Sequence, residues 1–188
     1  MIKKIKTRFP ELFFVVKLLL LFSVFYFGTH FWIGITSKGN LYSTFCDSYL
    51  NYFVWLRMAI LKLAGFFCFI AGFKTNIEAT TSLRIINGIK VNMVQSCVGF
   101  GILSAWAAFI IAYPADLKRK IIWLLGGIAT ICTINALRIA ILLIWVNKTR
   151  DINSFSNHHT IFNYTSYLIV LIMVFFYTKE KININSTK

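Results

Sequence analysis

The sequence predicts an all-α membrane protein of about four transmembrane helices, with an outer amphipathic helix and a small extracytoplasmic β-hairpin. Three observations predict it. Hydrophobic residues make up 58% of the 188-residue chain and mean hydropathy is +0.71, above the ~45–50% apolar content of an average soluble domain. Several apolar runs reach the roughly 17 residues that a bilayer crossing needs. Finally, 20 Lys and Arg against 6 Asp and Glu gather at the ends of those runs. There they set membrane topology; on an aromatic-studded polar face they would point to nucleic acid, which is therefore not expected as a partner.

The first element opens with Lys3, Lys4, Lys6 and Arg8 and continues into an apolar run from Leu18 to Ile35. A secretory signal has a shorter apolar core and a small-residue cleavage site, so this run reads as a retained anchor. Val98–Ala115 and Ile121–Val146 are the second and third spans, separated by a turn that carries Lys118, Arg119 and Lys120. Ile161–Thr178 is the fourth, with Lys179 and Lys181 beyond it. Tyr49–Phe73 is apolar too, but it holds Arg57 and Lys62. A Lys or Arg at a helix centre costs about 2.5–3.5 kcal/mol to insert.

Charge parity decides the matter at this level. With four spans, all three basic clusters face the cytoplasm, and residues 36–97 and 147–160 face out, as the positive-inside rule requires. A fifth span at 50–73 would break that agreement, so residues 50–64 are expected as an amphipathic helix on the outer surface. After it, "GFFCFIAGF" (65–73) and "TSLRIINGIKVNMV" (81–94) have strand-like β-branched and aromatic content. Asn87-Gly88 between "LRII" and "IKVN" is a hairpin signal. The hairpin is thus an insertion at about 65–96 in a single integral membrane domain spanning 1–188. No internal repeat or flexible linker divides the chain.

Three polar intruders then stand out. Arg138 is the only charge in its span and lies eight residues before Val146, about 12 Å deep at 1.5 Å per residue. At that depth a charge needs a partner or a wet cavity. Asn135, three residues earlier, shares its helix face and is expected to orient the guanidinium. Cys97 opens the second span where a polar loop ends. A helix N-terminus beneath it would favour the thiolate, and Gly99 and Gly101 clear space beside it. His158 and His159 end the outer loop before the fourth span, so the topology brings all three to one leaflet. By contrast, Cys132 between Thr130 and Thr133 reads as packing, and His30 as an internal helix contact. The four cysteines, at 46, 68, 97 and 132, form no C-x-x-C, and no His stands at a ligand spacing from them. No metal or cofactor is expected, and a Cys46–Cys68 disulfide is left open.

Five segments in fixed order carry a resemblance: "LKLAG" at 61–65, "RIINGIKV" at 84–91, "SCVG" at 96–99, "NALR" at 135–138 and "HHTIFNY" at 158–164. Over Leu61–Tyr177 the chain resembles the exosortase and archaeosortase family of membrane transpeptidases, and its length and "HHTIFNY" ending resemble the small exosortase F subgroup. Val98 stands where the family has serine, and Asn163-Tyr164 where it has Gly-Trp. The resemblance implies that Cys97 is the nucleophile, Arg138 the transition-state stabiliser and His159, rather than His158, the third catalytic member. It also implies a C-terminally tailed envelope protein as substrate and a bacterial inner membrane with the site facing the periplasm. Two other classes are weighed against it: a membrane thiol–disulfide enzyme, which needs a second cysteine in reach of Cys97, and a channel or envelope-assembly scaffold, which needs Arg138 but not Cys97.

Overall fold

The computed structural model describes residues 10–37, 42–149 and 155–186. Among these, the elements run α1 (Pro10–Thr36), α2 (Thr44–Tyr49), α3 (Tyr52–Ile70), β1 (Thr75–Glu78), β2 (Ser82–Ile85), β3 (Lys90–Asn92), a 3-10 turn (Gln95–Val98), α4 (Phe100–Ala112), α5 (Leu117–Thr149) and α6 (Phe155–Ser186). Four stretches are long and apolar enough to cross a membrane: Pro10–Thr36, Thr44–Ile70, Leu117–Thr149 and Phe162–Lys179. The expected number of spans is met, but one member differs. The run at 98–115 yields only the 13 residues of α4, about 20 Å of helix against a hydrocarbon core of about 30 Å. Thr44–Ile70, which contains the 50–64 stretch expected as a surface helix, is instead long and apolar enough by length and composition.

The expected strand at 65–73 is also corrected, because α3 runs on through Ile70. Its buried residues Phe53, Ile60, Leu61, Ala64 and Cys68 repeat with helical spacing, and that stripe continues straight through "GFFCFI". Gly65 is no break there, because the helix presses against the sheet at that point: a Cβ would come 3.0 Å from Thr75 Oγ1. Arg57 is accommodated locally, with its guanidinium 5.0 Å over the Phe53 ring and Nη2 3.5 Å from Thr80 Oγ1. The exposed face carries Trp55, Phe66, Phe69 and Ile70 beside Lys62.

The sheet is antiparallel, in the order β1-β2-β3. The hairpin signal is met: Arg84 pairs with Lys90, Gly88 N–H donates to Ile85 O at 2.8 Å, and Asn87 has φ +59°. β1 is an additional strand, and its Glu78 pairs with Arg84 at 2.5 Å. The turn sits on the end of α5, where Ile89 N–H donates to Asn147 Oδ1 at 3.3 Å. Leu83, Ile85 and Val91 of the sheet, the buried stripe of α3 and Ala136, Ile139, Ala140 and Leu143 of α5 form one core cluster. The two cysteines left open for pairing are free thiols: Cys46 lies in α2, and Cys68 is buried near the far end of α3.

A second cluster, around Trp106, Ile110, Ile131 and Tyr177, joins α4, α5 and α6. It gathers the basic groups at one end of the molecule. Lys17 and Lys120 both donate to Ile111 O, at 3.3 and 2.9 Å, and Arg119 donates to Tyr177 O. The α4–α5 turn, the first turns of α1 and the later part of α6 therefore share one end, and the sheet lies at the other.

Candidate functional site

Cys97 sits in the 3-10 turn, where its N–H donates to Val94 O at 2.9 Å, and its side chain is half-buried against the first core cluster. Gly99 follows with φ +79°, a left-handed conformation, and caps α4, whose first residue is Phe100. The thiol thus precedes the helix instead of resting on its first turn, a difference from the expectation that has a local cause. A left-handed residue ends one turn before the next helix begins, and glycine adopts it without the Cβ clash.

Asn135 of α5 reinforces that cap. Its Nδ2 donates to Val98 O at 3.0 Å in a buried setting, and a Cβ on Gly99 would stand 2.6 Å from the same nitrogen. The amide expected to orient Arg138 instead ties the residue after Cys97 to α5. Arg138, one turn further along and 5% exposed, donates from Nη1 to Asn163 Oδ1 of α6 at 3.0 Å. Two amides therefore connect three segments: the cysteine turn to α5, and α5 to α6.

These groups surround a cavity of about 480 Å³ between α1, α4, α5 and α6. Gly99, Asn135, Arg138, Asn163 and Ser166 line its polar part; Phe22, Ala105, Val170 and Val174 line its apolar part. The same four apolar residues help to line an adjoining space of about 380 Å³, whose other walls are Leu18, Leu19, Trp106 and Phe109. Together they form one cleft, polar beside the cysteine turn and wholly apolar toward the cationic end. The structure brings Arg138 into this cleft. Cys97 stands two residues from Gly99 at its edge and is not part of the lining. His158 and His159 fall in the opening turns of α6, and their side chains lie outside the described part of the structure. Among the described residues no group of His, Cys, Asp and Glu is placed to hold a metal ion.

The family model for transmembrane exosortases matches residues 8–176, nearly the whole chain. The chain belongs to the transmembrane exosortase family. Among curated proteins and solved structures, none matches.

In this exosortase, Asn163 and Ser166 are the site residues that sequence reasoning passed over. Asn163 was visible only as the residue standing where the family has glycine, with no sign that it meets Arg138. The signal was the helix register: 163, 166, 167, 170, 171 and 174 all line the cavity and mark one face of α6 at 3.6 residues per turn. Of the remaining polar residues, His30 accepts its internal helix role, its Nδ1 lying 2.9 Å from Tyr26 O. Cys132 packs against the first core cluster.

Proposed function

We propose that this exosortase is a cysteine-dependent transpeptidase or peptidase of the bacterial inner membrane. It would cleave the C-terminal sorting signal of a membrane-tethered envelope protein on the periplasmic side. The observation that carries the reading is the shared cleft: a deeply buried arginine lines it beside the cysteine turn, and its apolar arm runs toward the cationic end. A tailed substrate has that same profile, with a polar cleavage segment at the top of a hydrophobic helix. Gly101 and Ala105 of α4, four residues apart in the cavity wall, leave room for a helix backbone to approach.

The chemistry follows from the residues. The Cys97 thiolate attacks the scissile carbonyl carbon, and the oxyanion that develops is met by the Arg138 guanidinium. Collapse breaks the C–N bond; the amine of the tail leaves with a proton from the His159 imidazolium, and a thioester remains. An amine acceptor or water then attacks the thioester, His159 takes its proton, and Cys97 is released as thiolate. Helix register favours His159 over His158. Position 159 is one turn before Asn163 and on the lining face of α6, whereas position 158 falls on the far side at 100° per residue.

The test is mass spectrometry of envelope proteins from cells carrying the native protein, Cys97→Ser, Arg138→Ala or His159→Ala, with the accumulated level of each variant measured. The reading expects one or more C-terminally tailed proteins to stay full length in all three variants. Normal processing with Cys97→Ser would overturn it, and loss of function with Arg138→Ala alone would turn the assignment to a channel or scaffold.

A further inference from the structure

Arg138 poses a problem that the proposed chemistry leaves open. A cation 95% removed from solvent ordinarily pairs with a carboxylate, since an uncompensated buried charge is expensive. Among the described residues the ion pair found is Arg84 with Glu78, out at the sheet, and no acidic residue lines the cavity. Asn135, the polar neighbour one turn away on α5, is committed to Val98 O. What meets the guanidinium is a neutral amide from another helix, Asn163 Oδ1 at 3.0 Å.

We propose that Asn163 is the positioning residue of Arg138: its amide oxygen fixes the guanidinium at the cavity wall while leaving the positive charge uncompensated for the substrate. The inference rests on the transpeptidase reading. A carboxylate at 163 would hold the same N–H at least as firmly, because charge-assisted hydrogen bonds are the stronger ones. It would also cancel the field that an oxyanion needs. Aspartate has nearly the shape of asparagine, so the two demands, holding and not neutralising, can be separated at this one position. The partner lies on α6, so the placement of Arg138 depends on how α6 packs. The face of α6 that carries Asn163 also lines the cavity along its length.

The experiment uses full-length protein in detergent or proteoliposomes, and as substrate the purified tailed protein that the Cys97→Ser strain leaves unprocessed. Native protein, Asn163→Ala and Asn163→Asp are compared for kcat, KM and thermal midpoint. The expected result is a kcat about tenfold or more below native for Asn163→Ala, the scale of losing a hydrogen bond to a charged group, with KM changed less than kcat. For Asn163→Asp, kcat is expected to fall at least as low as for Asn163→Ala, while its thermal midpoint equals or exceeds that of native protein. A purely structural role predicts the reverse order, with the isosteric aspartate close to native in rate and the alanine variant impaired in step with its lost stability. That order, or a native rate in both variants, would overturn the proposal. If Asn163→Ala fails to accumulate, the rate and midpoint of Asn163→Asp decide alone. Cys97→Ser and Arg138→Ala serve as references: native processing in those two condemns the transpeptidase reading itself, whereas inactive references beside fully active Asn163 variants condemn this inference only.

Discussion

Two arginines on the same helix, Arg119 and Arg138, show how α5 handles a charge at each end of the cleft. Arg119 lies where α5 leaves the basic turn. Its guanidinium sits 4.7 Å over the Tyr177 ring and donates to Tyr177 O, in a knot where Tyr177 meets Phe109, Tyr113 and Trp123 edge-on. Arg138 meets, among the described residues, the Asn163 amide at 3.0 Å and has a cavity in front of it. The first arginine is absorbed by aromatic faces and a carbonyl, and it serves to clamp α6 to the start of α5. The second is more deeply buried yet faces open space. Burial alone therefore does not mark the functional cation; what distinguishes Arg138 is the room left beside it.

The contrast is sharpest when each arginine is removed. Arg138→Ala is expected to lower substrate processing 100- to 1000-fold, the range for losing an oxyanion donor, with little change in accumulation. Arg138→Lys is expected to restore little of that, since a lysine lacks the planar fork of donors. An Arg138→Lys enzyme within fivefold of native in kcat would show that charge alone suffices. At the other end, Arg119→Met is expected to lower stability by about 0.5–2 kcal/mol, the scale of a cation–π contact, and to leave kcat within twofold. Thermal unfolding in detergent beside the processing assay measures both.

Glycines extend the comparison. Gly99→Ala places a Cβ against Asn135 and forces a side chain into the left-handed region, at a cost of about 1–3 kcal/mol. Its effect is expected mainly on kcat, because the displaced segment carries Cys97. Gly127→Ala places a Cβ onto the Trp106 indole, overpacking the aromatic knot by about 1–3 kcal/mol. It is expected to lower the thermal midpoint while processing at permissive temperature stays near native. If Gly127→Ala instead removed activity from a stable protein, the division between a holding end and a working end would collapse.

The long apolar runs, the basic turn at 118–120 and the Asn87-Gly88 hairpin were legible in the sequence because each rests on local pattern: hydropathy, charge and turn chemistry. Arg138 was legible for the same reason, as a lone charge within an apolar run. The end of α3 was not, since "GFFCFI" is apolar in every position and period alone cannot separate a buried strand from a buried helix. The short α4 was hidden as well. Its sequence is apolar from Val98 onward, and only the positive φ at Gly99, which no neighbouring residue announces, separates the cysteine turn from the helix. The partners of Arg138 and Asn135 were illegible in principle. Each amide reaches a different chain segment, and asparagine spacing on one helix says nothing of what lies across from it.

The contact between Gly99 and Asn135 has a consequence for variation. The amide nitrogen occupies the very volume that any other side chain at 99 would claim, and the backbone it grips is the carbonyl just before that glycine. Neither position is free to drift by itself. A natural homologue with a bulkier residue at one should carry a smaller one at the other, so the two sites should be inherited as a couple.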